Sequence, residues 1–165
     1  MQKNKGKMIV WVLIVLVVVV ALVFITINAK KNPSLSQNSG GETLKMGETK
    51  QIEGVKLTVL REGSGDIAKN GDIVAMNYTG TLSDGTAFDS NTDPKFQHVM
   101  PFEFTVGAGQ VIKGWDVGIA GMKVGEQRKL EINPDYAYGA TGIGGVIPPN
   151  ATLTFEVELL GIKTQ

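Results

Sequence analysis

PFEFTVGAGQVIKGWDVGIAGMKVGE, from Pro101 to Glu126, reads in succession as strand, glycine turn, short helix and glycine turn. Phe102, Phe104 and Val106 alternate with Glu103 and Thr105, the period-two pattern of a strand with one buried face. Gly107 and Gly109 interrupt that pattern. Beyond them Val111, Ile112, Trp115 and Ile119 fall three to four residues apart, which predicts one short amphipathic helix between Gly109 and Gly121. Val124-Gly125-Glu126 then turns the chain into RKLEI, a strand stopped by Asn133-Pro134.

The same patterns extend outward. Val55, Leu57 and Val59 alternate with Lys56, Thr58 and Leu60, and Ile73 to Leu82 reads as a second strand closed by Ser83-Asp84-Gly85-Thr86, whose Asp-Gly is a hairpin signal. At the far end Leu153, Phe155, Val157 and Leu159 alternate with Thr154, Glu156 and Glu158. About five strands and one helix make an α+β domain in which an antiparallel sheet buries one face against the helix. Asp135 to Asn150 (DYAYGATGIGGVIPPN) has neither periodicity yet carries Tyr136, Tyr138, Ile143, Val146 and Ile147, and an irregular stretch of that length in a small domain is expected to be functional.

Composition narrows the chemistry. The 165 residues include 16 Lys+Arg, 16 Asp+Glu, one His and no Cys. No disulfide framework, thiol nucleophile or Cys-ligated metal follows from such a chain, and one histidine makes His-rich metal sites and Ser/His/Asp catalysis improbable. No cofactor is expected. The zero net charge conceals an uneven layout: Lys3, Lys5, Lys7, Lys30 and Lys31 flank an apolar run, so the part from Asn32 onward sets the remaining eleven basic residues against all sixteen acidic ones. An acidic domain offers nucleic acid no phosphate-neutralising face. Gly139 to Gly145 does not match G-x-G-x-x-G and no Gly-Lys-Ser/Thr follows it, so no phosphate cradle is expected.

What remains is aromatic and aliphatic. Tyr78, Phe88, Phe102, Phe104, Trp115, Tyr138 and Phe155, with Val111, Ile112, Val146 and Ile147, include too many loop positions for all to be core, although Phe104 reads as core. An aromatic pocket with few polar groups suits an apolar ligand or a proline ring. His98, alone in a loop, reads as an ordinary surface residue.

From about Glu53 to Lys163 the chain resembles the FKBP-type peptidyl-prolyl cis-trans isomerases, on three ordered blocks: NYTGTLSDGTAFDS (Asn77 to Ser90), the quoted Pro101 to Glu126, and NPDYAYGATG with IPPNATLTFEVELL between Asn133 and Leu160. The resemblance implies a curved antiparallel sheet wrapped around one short helix. It implies Trp115 as the pocket floor, Tyr78, Phe102, Val111, Ile112 and Phe155 as walls, Phe88 and Asp89 as the FD pair beside the substrate, Tyr138 as the hydroxyl that bonds a substrate carbonyl, and Val146 and Ile147 as further substrate contacts, Ile147 through its backbone. Asp89 and Tyr138 are the candidate catalytic residues; for Asp89 the competing reading is an Asx-type turn cap. The implied ligands are Pro-containing polypeptides and macrolide inhibitors. Two departures stand out: NTDPKFQHVM (residues 91–100) is longer than in compact members, and the basic partner of the FD aspartate has no clear equivalent, Lys95 being the candidate.

The inventory suits the reaction. Rotation about Xaa-Pro faces a barrier of about 18–20 kcal/mol because the planar amide loses its resonance. No bond to a heavy atom is made or broken, so neither nucleophile nor metal is required. Raising turnover from about 10⁻² to about 10 per second asks for only about 4 kcal/mol. A non-catalytic module using the same pocket to hold Pro-containing or apolar segments is the alternative.

Residues 9–28 read as a transmembrane signal-anchor. Ile9 to Ile27 (IVWVLIVLVVVVALVFITI) has Thr26 as its one clearly polar side chain and is long enough, as a helix, to cross a hydrocarbon core of about 30 Å. The three lysines before it keep residues 1–8 cytoplasmic, residues 29–50 form a flexible linker, and residues 51–165 stand outside as a monomeric isomerase domain. The rival is a signal peptide cleaved after Ala29, against which stand the large Ile27 and the length of the apolar run. Mass spectrometry of the mature protein is expected to find the uncleaved chain; an N-terminus at Lys30 would overturn the anchor.

Overall fold

The computed structural model of the chain describes residues 44–163. The expected tail and membrane anchor, and residues 29–43 of the expected linker, lie outside the described residues, among which no helix is long and apolar enough to cross a membrane. Among the described residues seven strands, β1 (Thr49–Ile52), β2 (Val55–Arg61), β3 (Ile73–Thr81), β4 (Ala87–Ser90), β5 (Phe102–Thr105), β6 (Gln127–Ile132) and β7 (Leu153–Lys163), form one sheet, with a single α-helix, α1 (Lys113–Ile119), between β5 and β6. The order is β1-β2-β6-β7-β3-β4, with β5 also on β3, and every pairing is antiparallel. Central β3 thus carries β7 along one edge and β5 and β4 end to end along the other. Register breaks at Val59/Arg61, Ala75/Met76 and Gly80/Thr81 raise the local twist and help curl the sheet around α1.

The strands exceed the expected five by two. β4 is the return arm of the Asp-Gly hairpin, in which Gly85 takes φ +84° and Asp84 accepts the Thr86 N–H at 2.8 Å. β1 falls partly within the expected linker. Its TKQI is polar and mostly exposed, so no apolar alternation betrays it, and it exists because β2 offers it a ladder from Thr49↔Thr58 to Ile52↔Val55. Ahead of it the Met46 N–H donates to Glu62 and the Gly47 N–H to the Val59 carbonyl, so the folded domain starts before residue 51.

One face of the sheet supplies the core. Val55 and Leu57 of β2, Val74 and Met76 of β3, Leu130 and Ile132 of β6, and Leu153, Phe155, Val157 and Leu159 of β7 are buried with Trp115, Ile119 and Met122. The helix presses close because Gly114 and Gly118, four residues apart, share its inner face. A Cβ at Gly118 would lie 2.8 Å from Leu130 Cδ2, and one at Gly114 would overlap Ile132. The C-terminal end of α1 is held by Arg128, whose buried guanidinium donates to the Gly118 carbonyl at 2.7 Å and pairs with buried Glu126 at 2.6 Å.

The helix is shorter than its apolar spacing predicts. Val111 and Ile112 precede it, Ile112 being extended at ψ 147°. The Asp116 carboxylate in its first turn accepts the N–H groups of Gly107 at 2.8 Å and Gly109 at 3.0 Å, and these bonds hold residues 107–112 as a loop.

Gly118→Ala gains helix propensity but overfills the contact with Leu130, so a net loss of about 1–2 kcal/mol is expected in urea denaturation of residues 42–165. Gly144→Ala, with open space around it, is expected to change stability by less than about 0.5 kcal/mol.

Candidate active site

Four strands, two loop segments and the helix α1 converge on one cavity of about 250 Å³. Tyr78 comes from β3, Phe88 and Asp89 from β4, Phe102 from β5, Gln110, Val111 and Ile112 from the loop tied down by Asp116, Trp115 from α1, Tyr138 from the irregular 133–152 segment and Phe155 from β7. Trp115 lies at the centre of this set, only 4% exposed. The Tyr78 and Phe155 rings both stand edge-on to it, with centroids 5.3 Å away and interplanar angles of 80° and 88°, and Phe102 and Phe104 complete the surround at 6.0 and 5.7 Å. Edge-to-face contacts of this kind fix ring orientation as well as position. Gly80 makes room for the Phe88–Phe155 pair, since a Cβ there would come within 2.6 Å of Phe88 and 2.7 Å of Phe155.

The polar groups cluster on one wall. The Tyr78 hydroxyl donates to Asp89 Oδ2 at 2.8 Å, and His98 Nε2 lies 3.0 Å from Asp89 Oδ1. Asp89 therefore caps no turn. Burial, then the hydrogen bond to Asp89, pushes the Tyr78 hydroxyl well above the ordinary phenol range. Burial also raises Tyr138, with the Asp89 charge adding to it. The Tyr138 hydroxyl has no hydrogen-bond partner among the described residues, and neither do the Ile112 N–H at the cavity lining and the buried Trp115 Nε1–H, so the lining includes donors without a protein partner.

Nine of the eleven site residues expected from sequence meet in this cavity; Val146 and Ile147 do not line it. Val146 is half exposed at a loop tip. Ile147 is buried, and its N–H and carbonyl are both taken by Ile143 in a two-bond bridge at 2.8 Å each, so its backbone is not free to meet a bound chain. Two neighbours of the site were not legible. Gln110 lines the cavity while its Oε1 accepts the Thr105 N–H at 2.8 Å. His98, read from sequence as an ordinary surface residue, is the basic partner of Asp89. Lys95, the sequence candidate for that role, pairs instead with Asp93 at 3.2 Å and sits over the Phe96 ring. Only the fold of the 91–100 loop separates these two.

A wider groove of about 620 Å³ lies elsewhere, bordered by Asp66, Lys69, Asp72 and Lys123 without any aromatic side chain. It lacks the convergent rings of the first.

Residues 65–160 match the family model of the FKBP-type peptidyl-prolyl cis-trans isomerases. The chain belongs to that family. FK506-binding protein 1 of Dictyostelium discoideum is 56% identical over 110 residues, which take in 67% of this chain and 99% of that relative. Peptidyl-prolyl cis-trans isomerase Fkbp12 of Drosophila melanogaster is 52% identical over 111 residues, 67% of this chain and 99% of the relative, and the peptidyl-prolyl cis-trans isomerase of Schizosaccharomyces pombe is 51% identical over 111 residues, 67% and 96%. The chain is thus a peptidyl-prolyl cis-trans isomerase of the FKBP type, with about a third of its length beyond the part these relatives match.

All three tyrosines of this isomerase hold their protons above the usual phenol value, Tyr136 through a hydrogen bond to Glu53. Tyr78 binds its proton more tightly folded than unfolded, so the stability this contributes is complete below about pH 10 and lost as pH climbs toward the folded value. Absorbance titration at the tyrosinate band should show native ionisation later than in denaturant, with Asp89→Asn advancing part of it. A native curve that overlays the denatured one would contradict the part-buried Tyr78–Asp89 bond.

Proposed function

We propose that the chain accelerates rotation about Xaa-Pro bonds in exported or cell-surface polypeptides and assists their folding, working as a monomeric domain tethered by residues 9–28. The observation that carries the catalytic reading is the cavity floored by Trp115, which presents aromatic edges and faces on most sides and polar donors on one. A proline ring is apolar and nearly rigid, so it can displace water from such a cavity with little loss of conformational entropy. Desolvation disfavours the charge-separated planar amide, and donors placed for the rotated carbonyl favour the twisted one. Tyr138 and the Ile112 N–H are the donors in this reading, and Asp89 supplies the negative potential beside the twisting bond. FK506-type macrolides, named in the Dictyostelium relative, are further ligands of the same cavity.

The tether rests on the apolar run and its lysine flanks. It places the isomerase beside chains emerging across the membrane, where proline isomerisation, taking tens of seconds unassisted, limits folding.

A protease-coupled assay on a short Xaa-Pro peptide is the deciding measurement. Residues 42–165 at micromolar concentration are expected to accelerate the slow phase; none would leave only a binding module. Tyr138→Phe and Asp89→Ala should each lower kcat/KM by about three- to tenfold, the scale of one hydrogen bond or charge contact. If both leave turnover unchanged, these polar roles are wrong.

A further inference from the structure

We propose that His98, as the doubly protonated imidazolium, is the positioning residue that holds the Asp89 carboxylate against Tyr78, so that one proton governs how well the isomerase site is assembled. The inference rests on the isomerase reading of the cavity and concerns its regulation.

The ring's surroundings carry the argument. Nδ1 lies 2.7 Å from the Phe96 carbonyl oxygen, and Nε2 lies 3.0 Å from Asp89 Oδ1. A carbonyl and a carboxylate accept hydrogen bonds and cannot donate them. Both ring nitrogens must therefore carry hydrogen for both contacts to be favourable, which only the cation provides. A neutral ring that keeps its bond to Phe96 turns the Nε2 lone pair toward the carboxylate. Tyr78 cannot relieve this: its hydroxyl is 3.5 Å from Nε2, and its hydrogen is committed to Asp89 Oδ2.

The loop carrying His98 is built to present it. Buried Asn91 accepts the Tyr78 N–H at 2.7 Å and donates to the carbonyls of Met76 at 2.9 Å and Met100 at 2.8 Å, fixing both ends of residues 91–100 to β3. Asp93 caps the 3₁₀ turn Pro94–Phe96, and Gln97 takes the left-handed conformation at φ 64°, reversing the chain just before His98. The remaining charged or titratable groups around the ring are accounted for. Lys95 is turned to Asp93, and Tyr138 faces Asp89 and Tyr78 from the far loop with its hydroxyl unpaired. Among the described residues His98 is thus the one basic side chain within ion-pair distance of Asp89.

Imidazole is the side chain that ordinarily changes charge between about pH 5 and 8. On the acid side of that change Asp89 is held on both oxygens. On the alkaline side one ring hydrogen cannot serve both acceptors: kept on Nδ1 for the 2.7 Å contact with Phe96, it leaves the carboxylate held by Tyr78 alone. Because the His98 and Asp89 side chains are 48% and 40% exposed, the effect is modest.

The test uses the full chain in detergent micelles and a terminally blocked Xaa-Pro peptide, with isomerisation followed by exchange NMR from pH 5 to 9, so that no coupling protease imposes its own profile. Catalytic efficiency is expected to fall about two- to fivefold as pH rises, the range an exposed ion pair supports. Its midpoint should coincide with that of the Cε1–H resonance of the only histidine in the chain. His98→Arg, whose charge is fixed, should give a profile without the step. A wild-type profile with no step, or a step that survives in His98→Arg, would each overturn the proposal. Absence of acceleration at every pH would instead defeat the isomerase reading, while ring-proton contacts from His98 to Tyr78 and Phe96 at acid pH would still decide the placement of the ring, their absence overturning it.

Discussion

The architecture depends on one close approach, that of a seven-residue helix to the concave face of the sheet. Gly114 and Gly118 let the α1 backbone settle against Ile132 and Leu130 of β6, where any side chain would collide. Trp115, adjacent in sequence, is then held between sheet and solvent, buried among Tyr78, Phe102, Phe104 and Phe155 while still flooring a cavity. So short a helix has little stability of its own. It is kept by contacts at both ends: Asp116 ties the incoming loop to its first turn, and the buried Arg128–Glu126 pair takes up a carbonyl near its last. Removing one partner of that pair would strand a buried charge, so its worth lies mainly in specifying one arrangement.

The site built on this support has no reactive nucleophile, and the reaction asks for none. Lowering a rotational barrier by a few kcal/mol needs a water-poor cavity of fixed shape and a few dipoles in place before the substrate arrives. Rigid aromatic edges supply the shape. Tyr78, Asp89 and His98 form the polar wall, and a loop anchored through a buried asparagine carries the last of them.

Much of the fold was legible because burial imposes periodicity. Alternation in β2, β5 and β7 and the Asp-Gly turn between β3 and β4 are local signals, each stated within a few residues. β1 gave no such signal, being a polar edge strand that β2 organises. The start of α1 was misplaced because Val111 and Ile112 keep helical spacing, while Asp116 holds them in a loop by bonds that spacing cannot reveal. Ile147 was misassigned for a similar reason: its backbone is consumed by a bridge to Ile143.

The sequence by itself determined the α+β class, the aromatic character of the pocket, the family, and the exclusion of thiol chemistry, all of which follow from residue type, count and local order. Only the tertiary structure decided which of two basic residues in one loop reaches Asp89. Lys95 and His98 are three positions apart and equally plausible as text. A capped turn and a left-handed residue send one to Asp93 and the other across to the cavity wall. That outcome depends on where an irregular backbone points, which is set by the turn itself and by the bonds of buried Asn91 to Tyr78, Met76 and Met100.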